Sequence, residues 1–116
     1  MALLKNQKFI EQAQLEWEPV AEGVRRRITS YGDPLMTVIV EFTKGSVGYL
    51  HRHPHVQITY IQRGSFEVSI DGQKRVLGAG DFYYVEPELE HGVVALEDGL
   101  LLDVFTPMRD DFIKHA

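Results

Sequence analysis

From Trp17 to Phe105 apolar and polar side chains alternate in short runs, each closed by glycine, proline or aspartate. A period of two puts every second side chain on one face of an extended strand. The clearest run is PLMTVIVEF, where Met36, Val38, Val40 and Phe42 alternate with Thr37, Ile39, Glu41 and Thr43. EWEPV and GVRRRITSYG precede it. Gln57 to Gln62 follows, then Phe66, Val68 and Ile70 alternating with Ser65, Glu67 and Ser69. Asp71-Gly72 is a hairpin signal, because a two-residue turn of the right hand needs positive φ at both positions. Lys74 to Leu77 pairs back, and Gly78-Ala79-Gly80 turns into Phe82 to Val85. Gly92 to Leu96 and Leu100 to Phe105 complete the series. Many short strands separated by turn glycines predict an all-β barrel or sandwich with its core over residues 17–107. Residues 1–16 lack a clear period and read as a short first strand or an irregular arm. Arg109 to His115 is the single stretch with helical character.

At 116 residues the chain suits one domain, 1–116. Its 44% hydrophobic and 25% charged residues are ordinary for a globular protein. The absence of cysteine removes disulfides, thiolate metal sites and a cysteine nucleophile. No basic segment followed by an apolar run opens the sequence, and nowhere are there 18 consecutive apolar residues, so a cytoplasmic protein with no membrane partner is expected. A net charge of -5 speaks against nucleic acid. The basic triplet Arg25-Arg26-Arg27 reads as a solvated strand edge.

The chemistry is concentrated in GSVGYLHRHPHVQITYIQRG, Gly45 to Gly64. His51 and His53 are two apart and share a face, so both imidazoles can reach one ion. Gln57 has the same parity, yet an unbroken strand would carry it about 13 Å from His53. Pro54 lacks a ladder donor and fixes its own φ. A bend over Pro54 to Val56 is therefore predicted, with Gln57 folded back as the first inward residue of the next strand. A second stretch, GDFYYVEPELEH, delivers His91 as a fourth ligand. His55 is assigned an orienting role and His115 none.

Three imidazoles and one neutral amide oxygen leave a divalent ion its full formal charge, suited to an anionic oxygen ligand and to Lewis-acid chemistry. Zn, Ni, Mn, Fe and Co all accept such a donor set. Farther on, Asp103 and Phe105 share parity on an apolar strand, placing a carboxylate inward beside an aromatic ring. A buried lone carboxylate is costly unless it is paired or functional. Arg109 either pairs with Asp110 or Asp111 on the surface or clamps a substrate carboxylate.

These two stretches resemble the signature motifs of the cupin superfamily, small double-stranded β-helix barrels. Gln57 stands where glutamate is usual, Glu86 and Glu88 occupy the usual proline and glycine places, and the proline has moved to Pro87. Across nearly the whole chain the sequence is similar to the pectin-degradation cupins of the KdgF family, through HRHPHVQITYIQRG, HGVVALEDG and DVFTPMRDDF. The resemblance implies conversion of 4,5-unsaturated monouronates, released by pectin and alginate lyases, to the linear keto-sugar acid. It also implies His51, His53, Gln57 and His91 as metal ligands, with Asp103, Phe105 and Arg109 in the substrate pocket. Val56 and Met108 depart from the family pattern at positions that are not ligands. By analogy with similar barrels a homodimer is expected. A metal-dependent dioxygenase and a non-catalytic sugar-binding cupin are the alternatives, the second disfavoured by Asp103. A sugar-nucleotide epimerase fits less well, since such cupins are longer and usually lack the metal ligands.

Overall fold

A computed structural model describes residues 2–113. Ten strands follow one another: β1 (Glu18–Ala21), β2 (Val24–Gly32), β3 (Leu35–Phe42), β4 (Val47–His51), β5 (Val56–Arg63), β6 (Ser65–Ile70), β7 (Gln73–Gly78), β8 (Phe82–Val85), β9 (His91–Ala95) and β10 (Gly99–Thr106). They form two antiparallel sheets, one in the order β1-β2-β3-β10-β5-β8 and the other β4-β9-β6-β7. This is the all-β architecture that the alternation predicts.

The expected faces are the buried ones. On β3, Met36, Val38 and Phe42 are buried, whereas Thr37, Ile39 and Glu41 keep part of their surface. Between the sheets Phe42, Ile61, Phe66, Val68, Val93, Ala95 and Leu101 form the main core, with the Phe42 and Phe66 rings edge to face at 5.3 Å. Met36, Val38 and Phe105 form a second cluster, closed by Met108, Phe112 and Ile113 from the chain's end. The Asp71-Gly72 turn has φ 49° and 78°, the doubly positive pair that this hairpin requires. Gly92 is needed for another reason: a Cβ there would lie 2.6 Å from the Gly48 carbonyl oxygen, where β9 approaches β4.

Ahead of β1 the described residues of the arm make a 3-10 turn at Gln12–Gln14 and no strand. Paired amides of Gln7 and Gln14 (2.6 and 2.7 Å) hold the arm to itself, and the Asn6 N–H donates to the Tyr31 carbonyl at 2.8 Å. After β10 the Met108 N–H donates to the Asp33 carbonyl at 3.0 Å, and a 3-10 turn covers Asp110–Phe112. The helical stretch expected from Arg109 is thus a single turn within the described residues; His115 lies outside them.

Candidate metal centre

Pro54 and His55 bend the chain between β4 and β5, and Gln57 is the first buried residue of β5. The geometry differs in one respect from simple strand parity. β4 ends at His51, so His53 reaches the centre from the bend rather than from the strand. His51 is exposed at the cavity mouth, whereas His53, Gln57 and His91 are buried. His51 and His91 are direct cross-strand partners of β4 and β9, with rings 4.3 Å apart. His53 completes the group, 4.8 Å from the His91 ring and 5.5 Å from that of His51. One ring nitrogen from each of the three lies within 4.8 Å of the others.

Hydrogen bonding settles which atoms face inward. Nδ1 of His51, His53 and His91 each meets a backbone carbonyl, of Tyr49 (2.8 Å), His55 (3.1 Å) and Leu89 (2.9 Å). A carbonyl only accepts, so Nδ1 carries the proton and Nε2 is left with its lone pair. Gln57 donates its amide N–H to the Thr59 hydroxyl at 2.9 Å and to Asp103 at 3.4 Å. Its Oε1 therefore turns the other way, to 3.0 Å from His53 Nε2 and 3.1 Å from His91 Nε2. Acceptors converge here with no hydrogen between them, an arrangement that a cation relieves. His51, His53, Gln57 and His91 fit one divalent metal on this ground. Burial lowers the pKa of His53 and brings that of His91 down to about 4, which keeps their nitrogens free to ligate at neutral pH.

His55 stands outside this group. It orients His53 through its backbone carbonyl, and its own Nδ1 is buried with no partner among the described residues. The second motif is tied to the first at the same place, because the Glu88 N–H donates to the His53 carbonyl at 2.8 Å. Glu88 has φ 68°, the left-handed conformation for which a glycine is usual.

The carboxyl side of the cavity is set by strand register. In the six-stranded sheet Asp103 of β10 lies between Thr59 of β5 and Val38 of β3, and Thr59 lies opposite Tyr83 of β8. Thr59 is fully buried and donates its hydroxyl proton to Asp103 Oδ1 at 2.6 Å. Asp103 keeps some accessible surface and lines the central cavity, so that surface opens into the barrel. Burial pushes its carboxyl up to about 6, against the Thr59 hydrogen bond and the Arg109 charge. Tyr83 is pushed upward by burial and by the Asp103 charge, so it stays a neutral phenol.

Two residues along β10, Phe105 is the partner of both Gln57 and Met36. Its buried ring stands edge-on to His53 at 5.7 Å. Arg109 pairs with Asp111, one of the two expected environments, and also lines the same cavity. The cavity has a volume of about 340 Å³ and is walled by His51, Gln57, His91, Asp103, Phe105 and Arg109 together with apolar side chains of both sheets.

Four contributors escape a reading of single stretches. Thr59 and Tyr83 were hidden because their role comes from cross-strand register, although Thr59 shares the parity of Gln57. Arg26, expected with its neighbours on a solvated edge, lines the cavity and bonds Glu18 at 2.7 Å. Arg25 and Arg27 instead stack on Trp17, at 4.2 and 4.4 Å. Phe112, beyond the last strand, also lines the cavity.

The chain is similar to known proteins in both sequence and structure. The family model described as "Cupin domain" matches residues 38–105. The pectin degradation protein KdgF of Dickeya dadantii (strain 3937) is 46% identical over 107 residues, covering 90% of this chain and 96% of the relative. Among solved structures, KdgF from Halomonas sp. superposes with a TM-score of 0.88 at 40% identity, covering 93% of this chain and 100% of that one. An RmlC-like cupin from Shewanella frigidimarina NCIMB 400 gives 0.87 at 38% identity, covering 97% and 100%.

Proposed function

The chain belongs to the cupin superfamily and, within it, to the family of the pectin degradation protein KdgF, and from that premise we propose that it is a metal-dependent isomerase. Its substrates are 4,5-unsaturated monouronates from pectin and alginate breakdown, and its product is the linear keto-sugar acid. The observation that carries this reading is the convergence of acceptor-only ligands beside a carboxyl whose pKa is about 6, within one cavity. When bound by His51, His53, Gln57 and His91, a divalent ion supplies Lewis acidity toward the sugar's oxygens.

The protein's own groups account for the proton movements. Opening the ring takes the proton from the anomeric hydroxyl and breaks the bond from C1 to the ring oxygen. The bond's electron pair leaves with the ring oxygen as an enolate, which becomes a ketone when C4 receives the proton. No proton is consumed overall, so a single acid/base that accepts one and returns one suffices. Asp103 has that character, since a carboxyl with a pKa of about 6 visits both states near neutral pH. Thr59 holds Oδ1, leaving Oδ2 for substrate. Phe105 gives the cavity an apolar wall, and Arg109 receives the substrate carboxylate.

No helix among the described residues is long and apolar enough to cross a membrane. The reading places the protein in the cytoplasm, as a homodimer. Exposed Ile58, Phe82 and Tyr84 on the paired strands β5 and β8 support the dimer, which sedimentation tests.

The functional test is to add purified, metal-loaded protein to the unsaturated monouronate and follow loss of the ultraviolet absorbance of its conjugated double bond. Loss faster than the spontaneous rate, and absent in a His51→Ala/His53→Ala variant, is expected. No acceleration with metal bound excludes the proposed activity.

A further inference from the structure

Arg109 is only 8% exposed, and a buried guanidinium is unfavourable unless its charge and N–H groups are matched. Its Nε donates to Asp111 Oδ1 at 3.0 Å and its Nη2 to Asp111 Oδ2 at 2.8 Å, a two-point fork. The same guanidinium carbon lies 4.2 Å from the Phe112 ring centre and 5.1 Å from that of Phe105. The two rings are themselves perpendicular at 5.8 Å. Arg26, bonded to Glu18, also lies 3.7 Å from the Phe112 ring centre. Arg109 is thus set by one carboxylate and two aromatic rings.

The local sequence explains how. The 3-10 turn at Asp110–Phe112 begins immediately after Arg109, and the Phe112 N–H closes it onto the Arg109 carbonyl at 3.0 Å. This brings the side chains of Asp111 and Phe112 back over Arg109. Asp111 is exposed and Arg109 is not, so the pair joins the protein surface to the cavity wall. Of five guanidinium N–H groups the fork uses two, and among the described residues the others meet no acceptor.

We propose that Asp111 is the positioning residue of the carboxylate subsite: it locks Arg109 by its Nε and Nη2 groups so that the remaining Nη edge meets the substrate carboxylate in a fixed orientation. The inference rests on the uronate reading for the identity of the ligand, but not for the ordering of Arg109. The fork also offsets the charge of the guanidinium on the cavity wall. Substrate selection then depends on hydrogen-bond geometry as well as on charge. Phe112 serves as the second face of the cage.

Two variants of the metal-loaded protein test this, Asp111→Asn and Asp111→Glu, with Asp110→Asn as a control for charge. With zinc as the metal, the Arg109 Nε–H resonance is expected to be sharp and slow to exchange in the wild type and lost or exchange-broadened in Asp111→Asn. For the unsaturated monouronate, Asp111→Asn is expected to raise KM by about tenfold while kcat changes by less than about threefold. Asp111→Glu restores part of the loss, and Asp110→Asn behaves as wild type. An unchanged KM and Nε–H signal in Asp111→Asn overturns the proposal, as does a lowered melting temperature with KM unaltered. His55, Asp110 and Asp111 also lie within ligand distance of one another. Loss of a second equivalent of bound zinc in Asp111→Asn would make Asp111 a metal ligand instead and equally overturn it. A wild-type protein without uronate turnover removes the functional reading, and the Nε–H signal then judges the ordering of Arg109 by itself.

Discussion

Asp103→Asn should stabilise the metal-free protein at alkaline pH and lose that advantage in acid. The folded carboxyl has its pKa raised from 3.8 to about 6, chiefly by burial. Between those values the native state holds a proton that the unfolded state has released, so stability falls as pH rises. At about 1.36 kcal/mol per pKa unit, the gap amounts to a penalty of about 3 kcal/mol, fully present above pH 6 and relieved as pH falls toward 3.8. Asparagine keeps the shape and still accepts the Thr59 proton, but carries no charge to bury. His53 and His91, whose lowered pKa values destabilise the native state in acid, are common to both proteins and cancel in the difference. Urea unfolding of chelator-treated wild type and variant provides the comparison. The variant's advantage at about pH 8 should exceed that at about pH 4.5 by about 2 kcal/mol, the part of the range crossed. A difference independent of pH would refute the claim that burial raises this carboxyl.

Other substitutions probe the supports of the site. Thr59→Val removes the hydroxyl that donates to Asp103 and accepts from Gln57. It should cost about 1–3 kcal/mol in urea unfolding, because both partners stay buried without it. Glu88→Gly should stabilise by about 0.5 kcal/mol, since relief of the left-handed strain slightly outweighs glycine's greater freedom when unfolded; a lower thermal midpoint would count against the strain at φ 68°. Gly92→Ala should destabilise by about 1–3 kcal/mol, because the new methyl meets the Gly48 carbonyl and the β4–β9 pair must part. An unchanged thermal midpoint would show that the pair yields freely.

The strands were legible because a sheet with one buried face imposes a period of two, and glycine, proline and aspartate mark its turns. Even the bend at Pro54 could be derived, since an unbroken strand holds Gln57 too far from His53. What period two does not contain is register. Thr59, Asp103 and Tyr83 stand in one row only because β5 pairs with both β10 and β8, and these pairings join residues far apart in sequence. Arg26 was misplaced for a related reason. Three consecutive arginines look alike in sequence, whereas the strand turns Arg26 to the cavity and leaves Arg25 and Arg27 against Trp17. The Arg109 fork required knowing that the chain makes a 3-10 turn just after β10.

The most direct test of the central claim is to titrate chelator-treated protein with a divalent metal while recording the rate of monouronate opening. Activity should climb in proportion to added metal and level off at one ion per chain, and Asp103→Asn should bind that ion with the same stoichiometry while losing most of the turnover. Turnover that ignores the metal, or an Asp103→Asn variant as fast as wild type, would contradict the account.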